Sequence, residues 1–321
     1  MIRRLLAFTV SLVPLGACVA APAADESSSP RVVLVSGDEE YRSEEALPML
    51  ARILAERYGF RTTVLFATDP ETGAIDPENQ THLPGFEQVA EADLVVLFTR
   101  FRELPDESMK AFVDYVRSGR PLLAIRTATH AFSYTRNPES PYADWSWDSR
   151  VWPGGFGRQI LGETWVAHHG RHGVESTRGV PVAPGHPILR GVEDVWGPTD
   201  VYAVRDLPAD ATVLLEGAVL DGMEPTSQPV SGAKNNPRMP IAWTRENVAG
   251  GPRRLLCTTI GAATDFESED LRRLFVNACF WLLEREVPER ADVRTLSPYE
   301  PTDFGFGGFV RGVTPAERLA E

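Results

Sequence analysis

Three of the six histidines fall within five residues: His168, His169 and His172. Imidazole titrates near neutral pH and is the commonest metal-ligating side chain. The cluster therefore suits proton transfer or the binding of a divalent metal ion. On a helix His168 and His172 would share a face, but Gly170 and Gly173 place the run on a loop. Glu163 and Glu175 lie nearby in sequence and would supply a carboxylate to such a site. No cysteine or aspartate completes a recognised zinc spacing, so a solvated polar loop is the competing reading, and the identity of any cofactor stays open.

A second constellation follows an apolar run. Leu122-Leu123-Ala124-Ile125 leads directly into Arg126-Thr127-Ala128-Thr129-His130. The first four residues read as a buried parallel strand. Ligands of open α/β sheets bind outside the carboxyl ends of the strands. A sharp strand-to-helix turn here would have the form of a nucleophile elbow. The elbow position holds Arg126, which stays protonated and cannot attack a carbonyl. His130 is placed to act as a general acid or base, or to hydrogen-bond a sugar hydroxyl. Asp38, Glu39 and Tyr41 follow an earlier strand, and Arg100 and Arg102 follow another. In a doubly wound sheet these loops and Thr127 face one crevice. Trp145, Trp147, Trp152 and Trp165 are candidates for stacking on sugar rings or for burial beneath a long loop.

The elements that must hold these residues alternate. Strands are expected at residues 31–36, 62–67, 93–99 and 122–125, with helices at 44–58 and 106–117 between them. This is the pattern of a parallel sheet with crossover helices. Residues 133–240 are rich in Gly, Pro, Trp and Asn, with strand-like pieces near Trp165 and at 199–202 and 212–215. They read as a long insertion or antiparallel extension over the carboxyl edge. Strands return at 240–244 and 254–260, followed by an amphipathic helix at 269–284. The tail, residues 288–321, carries Phe304, Phe306 and Phe309 among glycines and is expected to pack on its own domain. Cys257 and Cys279 lie in apolar runs and read as inert core residues.

Several stretches resemble the ThuA-like (trehalose-utilisation) family on the class I glutamine amidotransferase-like fold. They are Ser36-Gly37-Asp38-Glu39-Glu40-Tyr41, residues 123–132, Pro240-Ile241-Ala242-Trp243-Thr244, and Gly261-Ala262-Ala263-Thr264-Asp265-Phe266 with its following helix. The resemblance spans most of residues 31–287. It implies an α/β, flavodoxin-like, doubly wound and mostly parallel sheet, and a link to carbohydrate metabolism. Asp265 joins Asp38, Glu39, Tyr41, Arg100, Arg126 and Thr127 as an expected ligand-binding residue. Relatives on the amidotransferase fold use an elbow cysteine and a later histidine. Here Arg126 holds the elbow, and Ala262 and Ala263 sit where many ThuA-like proteins show a histidine.

The net charge of -13 with scattered basic residues argues against nucleic acid as a partner. Two functions remain. One is an exported enzyme acting on a sugar or oxidised sugar through His130 and the His168 cluster, with or without a divalent metal. The other is a catalytically silent sugar-binding or scaffold module. Export is expected because Arg3-Arg4 precede a short apolar segment, so residues 1–23 read as a signal peptide and 24–30 as a linker. Leu15-Gly16-Ala17-Cys18 has the form of a lipobox, in which Cys18 would carry a lipid and form the one membrane attachment. Cleavage after Ala21-Pro22-Ala23 is the alternative. The native chain is expected in the periplasm or anchored at the cell envelope. Mass spectrometry should find it starting at Cys18 or Ala24; a cytoplasmic chain starting at Met1 would refute export.

Overall fold

The computed structural model describes residues 29–320. Residues 1–28, including Cys18 and the segment read as a signal peptide, lie outside the described residues. Nine strands form one mixed sheet: β1 (Arg31–Gly37), β2 (Arg61–Phe66), β3 (Leu94–Thr99), β4 (Leu122–Ile125), β5 (Thr177–Pro181), β6 (Val195–Gly197), β7 (Ala211–Val219), β8 (Met239–Glu246) and β9 (Arg254–Thr258). Their spatial order is β2-β1-β3-β4-β9-β8-β7-β5-β6. The first five in this order pair in parallel, and β8, β7, β5 and β6 continue the sheet antiparallel. The four antiparallel strands make up nearly half of the sheet, more than the sequence reading gave them.

The parallel strands are apolar throughout because both faces are covered. Val32, Leu34, Val96, Leu123 and Ile125 point into a core shared with helices α1 (Ser43–Tyr58) and α3 (Glu269–Leu282). Val33, Val35, Val95, Leu97, Leu122 and Ala124 point into the opposite core, against helix α2 (Asp106–Arg117). Local chemistry fixes the helix ends. Gly59, at φ 67°, closes α1 with its N–H on the Ala55 carbonyl. The Ser268 hydroxyl accepts from the Leu271 N–H at the start of α3, and Glu269 and Asp270 fill its first turn. A short helix α4 (Pro315–Ala320) ends the described chain.

Two expected strands do not form. Trp165 lies on irregular backbone, and residues 199–202 run as a loop after β6. The Thr199 N–H donates to the Asp265 carboxylate, so a side chain takes the place of a ladder partner. Tyr202 retains a single bridge, to His168. The strand read at 212–215 lies inside the longer β7. The helix read at 269–284 stops at Leu282, and Glu284 turns to φ 56°.

Glu44, in the first turn of α1, is 2% exposed, and neither of its carboxylate oxygens meets a hydrogen-bond donor. Burial pushes its pKa up to about 8, from an ordinary 4.5. Because the folded pKa is the higher one, the penalty is absent below pH 4.5. It grows as pH rises toward 8 and then levels off. Glu44→Gln is expected to stabilise the protein at pH 8 by about 1–3 kcal/mol, with the gain vanishing near pH 4.5. Urea unfolding at both pH values checks this, and an equal effect at the two would refute it.

Candidate functional site

The site forms at the carboxyl end of β4. Arg126 takes φ 44°, the left-handed turn expected of an elbow, and a 3-10 turn over Arg126–His130 follows. Such a φ is uncommon for a residue with a Cβ and holds here because several contacts fix it. The guanidinium is fully buried between the rings of Tyr41, at 4.1 Å, and Tyr202, at 4.3 Å. A desolvated cation over an aromatic face gains about 2 kcal/mol. Nη1 donates to the Thr259 carbonyl at 2.6 Å, and Nη2 lies 3.4 Å from Asp200 Oδ1. The Tyr202 hydroxyl donates to that of Tyr41 at 3.0 Å.

Asp200 is the hub. It is 1% exposed, and both of its carboxylate oxygens meet imidazoles. His168 Nδ1 lies 2.8 Å from Oδ2, and His172 Nδ1 lies 3.1 Å from Oδ1. Burial alone would raise its pKa. The hydrogen bond from His168 and the Arg126 charge outweigh burial and hold the carboxyl below its ordinary value. The far side of His172 faces Glu40, with Nε2 to Oε1 at 3.3 Å. Burial, helped by Asp38, pushes the Glu40 carboxyl up. His168 and His172 are each about one-third exposed, so the cluster opens to solvent on one side. Among the described residues His168, His172 and Asp200 are a set whose ligand atoms all lie within 4.8 Å of one another, close enough to hold one metal ion.

The loop carrying the histidines is clamped to its partner. His169 and Gly170 donate their N–H groups to the Val201 carbonyl. A Cβ at Gly170 would come within 3.0 Å of the Asp200 Cβ, so glycine is what permits this approach. Aromatic rings surround the cluster. Trp165 contacts His168, His130 and Trp147, and Phe101 contacts His130 and Trp147. From the tail, Phe304 packs on Tyr41 and His172, with centroids 5.7 and 5.4 Å away. The Gly305 N–H donates to the Glu40 carbonyl, and Phe306 lies by the Arg100 guanidinium.

The expected site residues separate into groups. His168, His172, Arg126 and Tyr41 meet in one cluster. His169 leaves it, with Nε2 2.9 Å from the Lys234 carbonyl. His130 is buried, its Nδ1 beside the Thr129 hydroxyl. Burial, together with the Arg100 and Arg126 charges, drives its pKa far down, so it is a neutral ring and a poor acid at pH 7. Thr127 donates to Asp38 Oδ2 at 2.6 Å, and Asp38 Oδ1 accepts from the Glu40 and Tyr41 N–H groups. That pair ties the β1 loop to the elbow. Glu39 pairs with Arg100 at 2.7 Å and Arg102 at 3.1 Å, bracing neighbouring loops.

Asp265 does not face the opening. Its carboxylate accepts from Gly261, Ala262 and Thr199 N–H groups and from the Thr199 hydroxyl, which saturates it. Glu163 pairs with Arg158, and Glu175 with Arg171 and Lys234, so the carboxylate of the cluster is Asp200 instead. Trp145 stacks on Phe156 in the core, and Trp152 packs on Trp145. Asp200, Tyr202, Glu40 and Phe304 were not among the site residues expected from sequence. The alternation Asp200-Val201-Tyr202 was the available signal, since it sends an acid and a phenol to the same side.

A family model described as ThuA, trehalose utilisation, matches residues 31–282. The chain belongs to the ThuA family. Membership links it to trehalose utilisation. A ThuA-like protein from Parabacteroides merdae shares the fold at 15% identity, covering 87% of this chain and 97% of that one, with a TM-score of 0.52. A second, from Bacteroides uniformis, aligns at 13% identity over 82% and 95% of the two chains, with a TM-score of 0.47. No curated protein matches the chain. The family match stops at the end of α3, so the segment bearing Phe304 lies beyond the matched region.

The ThuA-family chain has no thiol where glutamine chemistry would need one. Cys257 and Cys279 are buried, and burial pushes the Cys279 thiol up to about 12 and the Cys257 thiol up as well. The protein is expected to release no ammonia from glutamine, and neither cysteine is expected to react with a thiol reagent before unfolding. Glutaminase activity abolished by Arg126→Ala, or rapid labelling of either thiol in the folded protein, would contradict this.

Proposed function

We propose that this crevice binds a small carbohydrate, a sugar or an oxidised sugar, and acts on it in saccharide utilisation. Asp200, His168 and His172 form the reactive centre. One observation carries the reading: two partly exposed imidazoles converge on a single buried carboxylate among aromatic side chains. Trp165 and Phe304 offer flat apolar faces to a pyranose ring, while the imidazoles reach its hydroxyl or carbonyl groups. Asp200 fixes both ring orientations and stabilises positive charge that develops on either histidine. Arg126 supplies a fixed charge behind the carboxylate and takes no covalent part. The N-terminal segment supports action in the periplasm or at the cell envelope, with Cys18 as the one membrane attachment if it is lipidated. The acidic net charge supports a small-molecule rather than a nucleic-acid partner.

Arg126 at the elbow favours a second reading, a silent sugar-binding module, because nucleophilic catalysis is lost there. Turnover separates the two. Calorimetry with trehalose, glucose and their keto derivatives is expected to find at least one ligand. Trp165→Ala and Phe304→Ala should each weaken it by about 1–2 kcal/mol, roughly 5- to 30-fold. If the centre is catalytic, Asp200→Asn should lower kcat/KM for that sugar by about 100-fold or more while the sugar still binds. Failure of every such sugar to bind would overturn the proposal. Binding without turnover would select the silent module.

A further inference from the structure

We infer that His168 Nδ1, His172 Nδ1 and the Asp200 carboxylate bind one divalent first-row transition-metal ion, with Glu40 orienting His172 from outside the coordination sphere. This deepens the reading of the cluster as the reactive centre and rests on it. Two nitrogens and one carboxylate oxygen form a donor set suited to zinc, iron or manganese. Metal–ligand bonds of about 2.1 Å place donors no more than about 4.2 Å apart. The three ligand atoms already lie within 4.8 Å, and the two imidazole contacts with Asp200 measure 2.8 and 3.1 Å. Small rotations of the two partly exposed rings would bring the widest separation in and let both imidazoles move off the carboxylate to the roughly 3.4 Å donor spacing of a tetrahedral site.

Independent features support this. A metal-bound histidine characteristically gives its other ring N–H to a carboxylate, which sets its tautomer and raises its basicity. His172 has that arrangement: Nδ1 faces Asp200, and Nε2 faces Glu40 at 3.3 Å. Glu40 is itself anchored, its N–H on Asp38 and its carbonyl accepting from Gly305 and Arg42. The histidine loop is also held in place before any ion arrives, by its two backbone bonds to Val201 and the close approach at Gly170. Three protein donors on a cluster open to solvent leave a position for water or a sugar oxygen, as in catalytic rather than structural sites. Arg126 also bonds to the Thr259 carbonyl and lies between two tyrosine rings, so the Asp200 carboxylate is not its sole contact.

The test is calorimetric titration of Zn²⁺ into untagged, chelator-stripped protein, without sugar, alongside the absorption spectrum of the Co²⁺ form. One equivalent should bind, with Co²⁺ bands showing nitrogen and oxygen ligation. His172→Ala should abolish saturable binding. Glu40→Gln should keep the stoichiometry and weaken affinity by roughly 10- to 100-fold. His169→Ala should bind as the parent does. Circular dichroism confirms that each variant is folded; if His172→Ala does not fold, the Glu40→Gln and His169→Ala pair decides. Absence of 1:1 binding, or affinity unaffected by both Glu40→Gln and His172→Ala, would overturn the metal site. Sugar binding by protein that takes up no metal would overturn this inference and leave the proposed function standing. One bound metal with no sugar binding would do the reverse.

Discussion

The burial of one guanidinium governs the rest of this structure. Arg126 has no solvent contact, and an unpaired charge in that position would cost several kcal/mol. Every segment that meets it answers that need. The β1 loop brings the face of Tyr41, the long middle segment brings Tyr202 and Asp200, and the end of β9 brings the Thr259 carbonyl. These pieces lie between 74 and 133 residues from Arg126 where they bond to it. The crevice is therefore assembled around a charge, and the two histidines inherit their places from the carboxylate that compensates it.

Much of the scaffold was legible in the sequence because it obeys local rules. The bounds of α2 and β4 were read as they stand, since an amphipathic helix and a doubly buried strand announce themselves by period and composition. The elbow was legible too, as a polar run after an apolar strand. The insertion was harder. Thr199 bonds to Asp265, 66 residues away, and no periodicity encodes that pairing. For the same reason the partner of the histidines was sought in Glu163 and Glu175, close in sequence, while Asp200 stood 28 and 32 residues from them. Residue type suggested that a carboxylate could join two of the clustered histidines. Only tertiary structure says which one, and why His169 and His130 fall outside the cluster.

The tail changes what the family domain presents to solvent. The matched region ends at 282, yet Phe304 lies against His172 and Tyr41, and Thr302 is held by Glu45 of α1. The Arg42 guanidinium donates to the Gly305 carbonyl, which pins the segment beside the opening. An apolar ring that contacts a half-exposed imidazole lowers the local dielectric on one side of it and narrows the approach to the cluster. Access to the cluster thus depends partly on residues beyond the family match.

The elbow has the backbone of a nucleophile turn but carries a side chain that cannot attack. Left-handed backbone at a residue with a Cβ costs roughly 1 kcal/mol or more, and nucleophilic enzymes use that turn to lift an attacking atom into the site. At Arg126 the same turn sends a guanidinium between two tyrosines, where no substrate bond can form to it. The strain is retained because it still positions something: a fixed positive charge 3.4 Å from Asp200. That charge helps to keep a buried carboxylate ionised, and an ionised Asp200 is what can hold two imidazoles, or a metal ion with them, at a solvent-facing edge. The titratable groups of the site thus lie across from the elbow residue and not on it.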